Sequence, residues 1–145
     1  MWSCLFILFA IFTSVYAKTE EDIKAELIKL IMKCNENGGV DVTELLQLQR
    51  FITPTKMKTK CLLACAYKAS GVMTSDGLYS IEHAYKMAEE VKNGDEKRLE
   101  NGKKVADICF KVNHVTVTDG TKGCDRAALI FKCTLENAPK FGFKI

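Results

Sequence analysis

A chain of 145 residues with 27% charged side chains and a net charge of +3 interleaves Lys with Glu along its length. It carries no basic run or basic-aromatic patch of the kind that marks a nucleic-acid partner. Repeats, low-complexity linkers and Asn-x-Ser/Thr sequons are absent from the sequence as well.

The first segment decides the compartment. Residues 2–17 hold no charge, run apolar from Leu5 to Phe12, and place Val15 and Ala17 as small residues before a cut ahead of Lys18. A membrane span needs about 20 apolar residues. This shorter stretch is therefore expected to be a secretory signal peptide, residues 1–17, with an uncleaved anchor as the alternative. Cys4 leaves with it, so the seven cysteines become six. Lys18–Ile145 is one domain in size and can bury about two-thirds of its extended surface. No later segment is long and apolar enough to cross a bilayer, so the exported chain is expected to be soluble and extracellular.

Helices follow in chain order. Thr19 caps a first helix whose opening turn holds Glu20, Glu21 and Asp22 at the positive end of the dipole. Ile23, Leu27, Leu30, Ile31 and Cys34 share a face, and Gly38-Gly39 ends the run. A short helix is expected over about 43–51. Thr53-Pro54 reads as a cap and a first-position proline, opening a third helix that ends before Gly71. Ser80 caps a fourth that stops before Gly94, and Asp95 or Asn93 opens a fifth, weakened by Gly102, to about Val112. The sixth runs from Asp125 to Asn137. Alternation is confined to Val115–Thr118, too short to support a sheet. The fold class is all-α.

Cysteine spacing gives the framework its meaning. Cys34, Cys61, Cys65, Cys109, Cys124 and Cys133 are separated by gaps of 26, 3, 43, 14 and 8 residues. An even set in a short exported chain reads as three disulfides. Cys61 and Cys65 project from one helix face a turn apart, too far for a bond between them, so each must reach a different element. Spacing alone leaves the pairing open. Zinc held by Cys61, Cys65 and a histidine is disfavoured, because neither histidine has ligand spacing. No metal or cofactor is expected.

One cysteine, then Cys-x3-Cys, a long gap and a final Cys-x8-Cys resembles the insect odorant-binding proteins of the pheromone and general odorant class. The likeness covers essentially the whole mature chain, with the 14-residue gap between Cys109 and Cys124 at the long end. It implies the pairs Cys34–Cys65, Cys61–Cys124 and Cys109–Cys133, and six helices around an apolar cavity. It also implies a small lipophilic ligand, a possible chemosensory receptor as recipient, and a monomer or weak homodimer.

The helix faces suggest where a cavity lies. Ile81, Ala84, Tyr85, Ala88 and Val91 form an apolar stripe on the fourth helix, opposite Glu82, Lys86 and Glu90. Its two alanines leave room. The sixth helix is apolar almost all round, with Ala127, Ala128, Phe131 and Leu135 on one side, and Ile130 and Cys133 on another. Burial on two sides follows. The Phe131 side is expected to face the cavity and the Cys133 side the fifth helix. Ile31, Met57, Leu62, Met73 and Ile108 complete the candidate ligand wall on the remaining elements, the alternative being a solid core. Ser75, Tyr79, Tyr85 and Thr134 are candidates to orient a hydroxyl or carbonyl.

In the tail, Phe141, Phe143 and Ile145 alternate with Gly142 and Lys144. Each apolar side chain gains roughly 1.5–3 kcal/mol from burial. The tail is expected to fold back and line or close the cavity; a frayed end is the alternative. His83 reads as a surface residue beside Glu90. His114, at the negative end of the fifth helix, is the candidate for pH-dependent release.

Enzymatic readings lack their parts. A secreted phospholipase needs a helix-borne His-Asp pair and a glycine-rich calcium loop, yet His83 precedes Ala84 and His114 precedes Val115. No Gly-x-Ser-x-Gly elbow or His-Glu-x-x-His site occurs. The sequence thus points to a secreted, non-enzymatic carrier of small hydrophobic molecules. The second reading is a venom, salivary or seminal component acting through its surface on the same scaffold.

Overall fold

The computed structural model describes residues 16–145. Apart from its last two residues, the expected leader lies outside the described residues. Helix α1 spans Glu20–Cys34 behind a reciprocal cap: Thr19 Oγ1 accepts the Asp22 N–H, and Asp22 Oδ2 accepts the Thr19 N–H. Helix α2, Val42–Gln49, is capped by Asp41. Helix α3 spans Met57–Ser70, α4 Ile81–Val91, α5 Glu96–Phe110 and α6 Cys124–Asn137. Ser80 and Asp95 cap α4 and α5. Short 3-10 turns follow α5 (Lys111–His114) and α6 (Ala138–Phe141), with another at Gly120–Lys122. Among the described residues there is no strand, only one isolated bridge between Met73 and Tyr79.

Two local features depart from the sequence expectation. Helix α3 opens at Met57, not at Thr53-Pro54. Pro54 is buried in the connection, and a proline biases the residue before it away from helix. The start is fixed further on, where Thr59 Oγ1 donates to Glu44 Oε2 at 2.8 Å and Lys56 Nζ pairs with Glu44 at 2.7 Å. The second feature is the end of α2. Phe51 takes φ +57, and the Phe51 and Ile52 N–H groups return to the carbonyls of Leu48 and Gln47 at 3.0 and 2.9 Å. This left-handed closing turn normally takes Gly, and a non-glycine residue there costs about 1–2 kcal/mol.

Three disulfides tie the helices together. Cys34–Cys65 joins α1 to α3, Cys61–Cys124 joins α3 to the start of α6, and Cys109–Cys133 joins α5 to α6. Each closes a loop large enough to stabilise by roughly 3–4 kcal/mol on a chain-entropy model. Packing of α3 against α6 and α1 follows two of these connections, while α4 packs against α5 without a disulfide between them. Leu63, Ala66, Ala127 and Ile130 are almost fully enclosed between α3 and α6. Arg126, also buried, donates to the carbonyls of Val112 and Val115, so its charge is met by the negative end of the α5 segment. Asp119 accepts the N–H groups of Cys124 and Asp125 at 2.6 and 3.2 Å, capping α6 from outside the helix.

Candidate functional site

The helices do not close on one another completely. A cavity of about 440 Å³ lies between α1, α3, α4, α5, α6 and the C-terminal tail. Ile23 and Leu27 of α1 form one side, Met87, Ala88 and Val91 of α4 another, and Val105 and Ala106 of α5 a third. Ile130, Phe131 and Leu135 of α6 contribute the remainder, with Phe51 arriving from the end of α2. Charge is confined to the solvent edge, where Lys18 pairs with Glu26 at 2.6 Å and with Glu90 at 3.6 Å. Apolar walls with a self-neutralised charged mouth suit a small hydrophobic guest.

Of the candidate wall residues, the structure brings Ala84, Ala88, Phe131 and Phe143 together on the cavity. Ile31, Leu62, Met73 and Ala127 pack in the core away from it. Ile81 and Ile108 are half-buried outside the lining, and Phe141 packs against the core beside it. Met57, first in α3, is 48% exposed. Tyr85 also lies outside the lining, because its hydroxyl donates to Asp107 and Lys103 stands 5.7 Å from its ring centroid. Among the other polar candidates, Ser75 is exposed, and Thr134 lines the cavity with its hydroxyl already donating to Ile130 O at 3.0 Å. Tyr79 lines it as well. The Cys133 side of α6 faces α5.

Several lining residues were not among the candidates. Met87 lies three residues after Ala84 and four before Val91, so helical spacing alone would have placed it on the wall. Tyr67 sits on the inner face of α3, and Phe51 depends on a left-handed turn that the sequence does not announce. His83 corrects the surface reading. It is half-buried on the cavity lining, and a Cβ on Gly71 would meet its Nδ1 at 3.0 Å. Gly71 takes φ +88 to end α3, and its bareness admits the imidazole. Burial lowers the His83 pKa below 6.5; Glu90 and Glu26 oppose that, while Lys86 and Lys18 add to it. His114 is exposed, away from the cavity, edge-on to Phe110.

The tail folds back. Phe143 N–H donates to Ala138 O, Asn101 Nδ2 holds Phe141 O at 3.2 Å, and Phe143 and Ile145 reach the cavity wall. Arg98 fixes this arrangement from α5. Its guanidinium lies 4.7 Å from the Phe143 ring centroid, its Nε donates to Val91 O at 2.9 Å, and it pairs with Glu20 of α1. Burial pushes the Glu20 carboxyl upward, but the Arg98 hydrogen bond and charge, together with nearby backbone N–H groups, hold it below 4.5. Gly102 makes room beneath, since a Cβ there would meet Ala88 Cβ at 2.8 Å and Phe143 Cζ at 3.5 Å.

An all-helical domain stapled by three disulfides around a hydrophobic cavity is the architecture of a small-ligand carrier. Residues 16–137 match the PBP/GOBP family. The chain is 25% identical to general odorant-binding protein 19d of Drosophila melanogaster over 130 residues, which is 89% of this chain and 83% of the relative. General odorant-binding protein 28a of the same organism is 24% identical over 128 residues, 88% of this chain and 86% of the relative. The solved structure of Drosophila odorant-binding protein dmelOBP28a shares the fold with a TM-score of 0.67 at 22% identity, over 86% of this chain and 98% of that one. The chain belongs to the PBP/GOBP family.

Proposed function

We propose that this protein is an exported carrier that encloses a small hydrophobic molecule in the cavity, holds it without transforming it, and releases it elsewhere. The observation that carries this reading is the 440 Å³ hollow with apolar walls and charge restricted to its mouth. At about 30 Å³ per water-sized group, it holds a guest of roughly 12–15 non-hydrogen atoms. Removing apolar guest surface from water at about 25 cal/mol per Å² makes micromolar affinity reachable with few polar contacts. The two curated relatives are named as odorant-binding proteins, which supports odorants or similar lipophiles as guests and a chemosensory receptor as recipient. Export rests on the uncharged leader of residues 1–17, so the mature chain begins at Lys18. No helix among the described residues is long and apolar enough to cross a membrane.

Displacement of an environment-sensitive apolar dye tests the proposal. A carrier binds the dye one-to-one and gives it up to small lipophiles at micromolar concentration. A protein acting through its surface would not exchange the dye for them.

A further inference from the structure

Among the described residues, two hydroxyl groups at the cavity have no hydrogen-bond partner in the protein. Tyr67 and Tyr79 are 6% and 8% exposed, and both line the hollow. Among the described residues no protein group hydrogen-bonds to either hydroxyl, whereas Tyr85 has Asp107 and the Ser70 and Thr134 hydroxyls donate to the carbonyls of Tyr67 and Ile130. Neither hydroxyl is sealed off: among the described residues the buried side-chain polar atom without a partner is Asp119 Oδ1, so both phenols open onto the hollow, where a wall that needed only bulk would be served as well by Phe.

Their backbones, by contrast, are firmly held. Met73 N–H returns to Tyr67 O at 3.0 Å, and Met73 and Tyr79 form the isolated bridge. Asn113 grips Tyr79 from the turn after α5, accepting its N–H at 2.8 Å and donating to its carbonyl at 3.0 Å. Asn113 is thus a positioning residue. Burial raises both phenols far above the ordinary tyrosine value, so each keeps its proton and remains a donor.

We propose that Tyr67 and Tyr79 form the polar end of the cavity and hydrogen-bond the oxygen of a neutral ligand: a ketone, aldehyde, ester or alcohol. A carboxylate is the wrong guest for this end. The basic side chains on the lining are lysines and His83, whose burial lowers its pKa below 6.5 and favours the neutral ring; Lys18 is already paired with Glu26 and Glu90 while Lys24 lies over the Phe51 ring. Lys86 and Lys144 are exposed. An anion beside the two phenols would be desolvated without a counter-charge.

This inference rests on the carrier reading, and three probes separate the two. Undecan-2-one, n-dodecane and decanoate each have about twelve non-hydrogen atoms, matching the estimated guest size. Their affinities are measured by dye displacement on the full mature chain, for wild type, Tyr67→Phe and Tyr79→Phe. The ketone should bind wild type about 3–10-fold more tightly than the hydrocarbon, the range one net hydrogen bond supplies. Decanoate should bind more weakly than the ketone. Tyr67→Phe should erase most of the ketone's advantage, leave dodecane unchanged, and leave the ligand-free protein at least as resistant to urea. Equal affinity for ketone and hydrocarbon, or an advantage that survives both substitutions, overturns the polar end while the carrier reading stands. A Tyr67→Phe protein that is less stable without ligand also overturns it, because the hydroxyl would then have a structural partner. Failure of all three probes to displace the dye overturns both.

Discussion

The rings of Phe51 and Phe131 stack with centroids 6.1 Å apart and planes 15° from parallel, although the residues belong to α2's closing turn and the middle of α6. Both line the cavity. Phe51 reaches that place only by accepting a left-handed backbone, φ +57, where glycine would sit without strain. Local strain is here exchanged for an aromatic wall.

The exchange is measurable. Phe51→Ala and Phe51→Gly both remove the ring, but only glycine relieves the backbone. Phe51→Gly should therefore be more stable than Phe51→Ala by about 1 kcal/mol in urea unfolding. That reverses the usual order for an ordinary position. Both should weaken binding of an apolar dye, and equal stabilities would show that the turn carries no strain.

Gly102 tests how closely α4 and α5 must approach. In an ordinary helix interior Gly→Ala stabilises by about 1 kcal/mol. Here the new methyl meets Ala88 Cβ at 2.8 Å, and overpacking of that kind costs about 1–3 kcal/mol. Gly102→Ala should thus be neutral to destabilising by up to about 2 kcal/mol. Adding Ala88→Gly should recover much of the packing loss. A Gly102→Ala protein as stabilised as propensity alone predicts would contradict the tight contact.

Arg98 joins α1, α4 and the tail, so its removal should free the tail before it unfolds the domain. Arg98→Ala is expected to speed ligand dissociation about 3–10-fold, in line with loss of a charge-assisted bond and a ring contact. Deleting residues 139–145 should do the same or more. Dissociation rates from stopped-flow dye release check this, and unchanged rates in both would show that the tail is a wall without being a lid. Acid should act in the same direction. Glu20 is held below 4.5 in the folded protein, so its contribution is present above that value and is lost as pH falls through the depressed pKa.

His83 sets a second pH dependence with its own window. Its folded pKa lies below 6.5, chiefly through burial, in the field of Glu90, Lys86, Lys18 and Glu26. The unfolded chain therefore takes up the proton first. Stability from the neutral imidazole is complete above 6.5, declines as pH falls toward the folded pKa, and levels off below it. His83→Gln should flatten that part of the stability curve, while His114→Ala, altering an exposed residue outside the cavity, should leave it in place. A wild-type curve that stays flat as pH falls below 6.5 would contradict the assignment.

How much of this was readable from sequence depends on the range of each interaction. Caps at Thr19, Ser80 and Asp95, and the stop at Gly71, are decided within a turn of helix, and their residues show them. Those caps and the helical periodicity announced the all-α class, and the spacing of Cys34 through Cys133 the family resemblance. The start of α3 was missed because Glu44 of α2, fifteen residues from Thr59, sets it. Wall membership was only partly legible. Periodicity identifies an apolar face, as for Ile31 and Ala127, but not whether a neighbour fills the space before it. Tyr85 was assigned inward on its spacing, yet Asp107 on α5 draws its hydroxyl outward. Phe51 was hidden by a backbone conformation that its residue type does not suggest.

Carbon-13 methyl NMR of the mature chain titrated with undecan-2-one bears most directly on uptake into the interior. Saturable one-to-one shifts should appear at Ala84, Ala88, Ala106 and Leu135, which line the hollow, and be small at Leu46 and Val42 on the exposed side of α2. Shifts concentrated at those outer methyls, with the lining ones unmoved, would place the ligand on the surface and contradict the account.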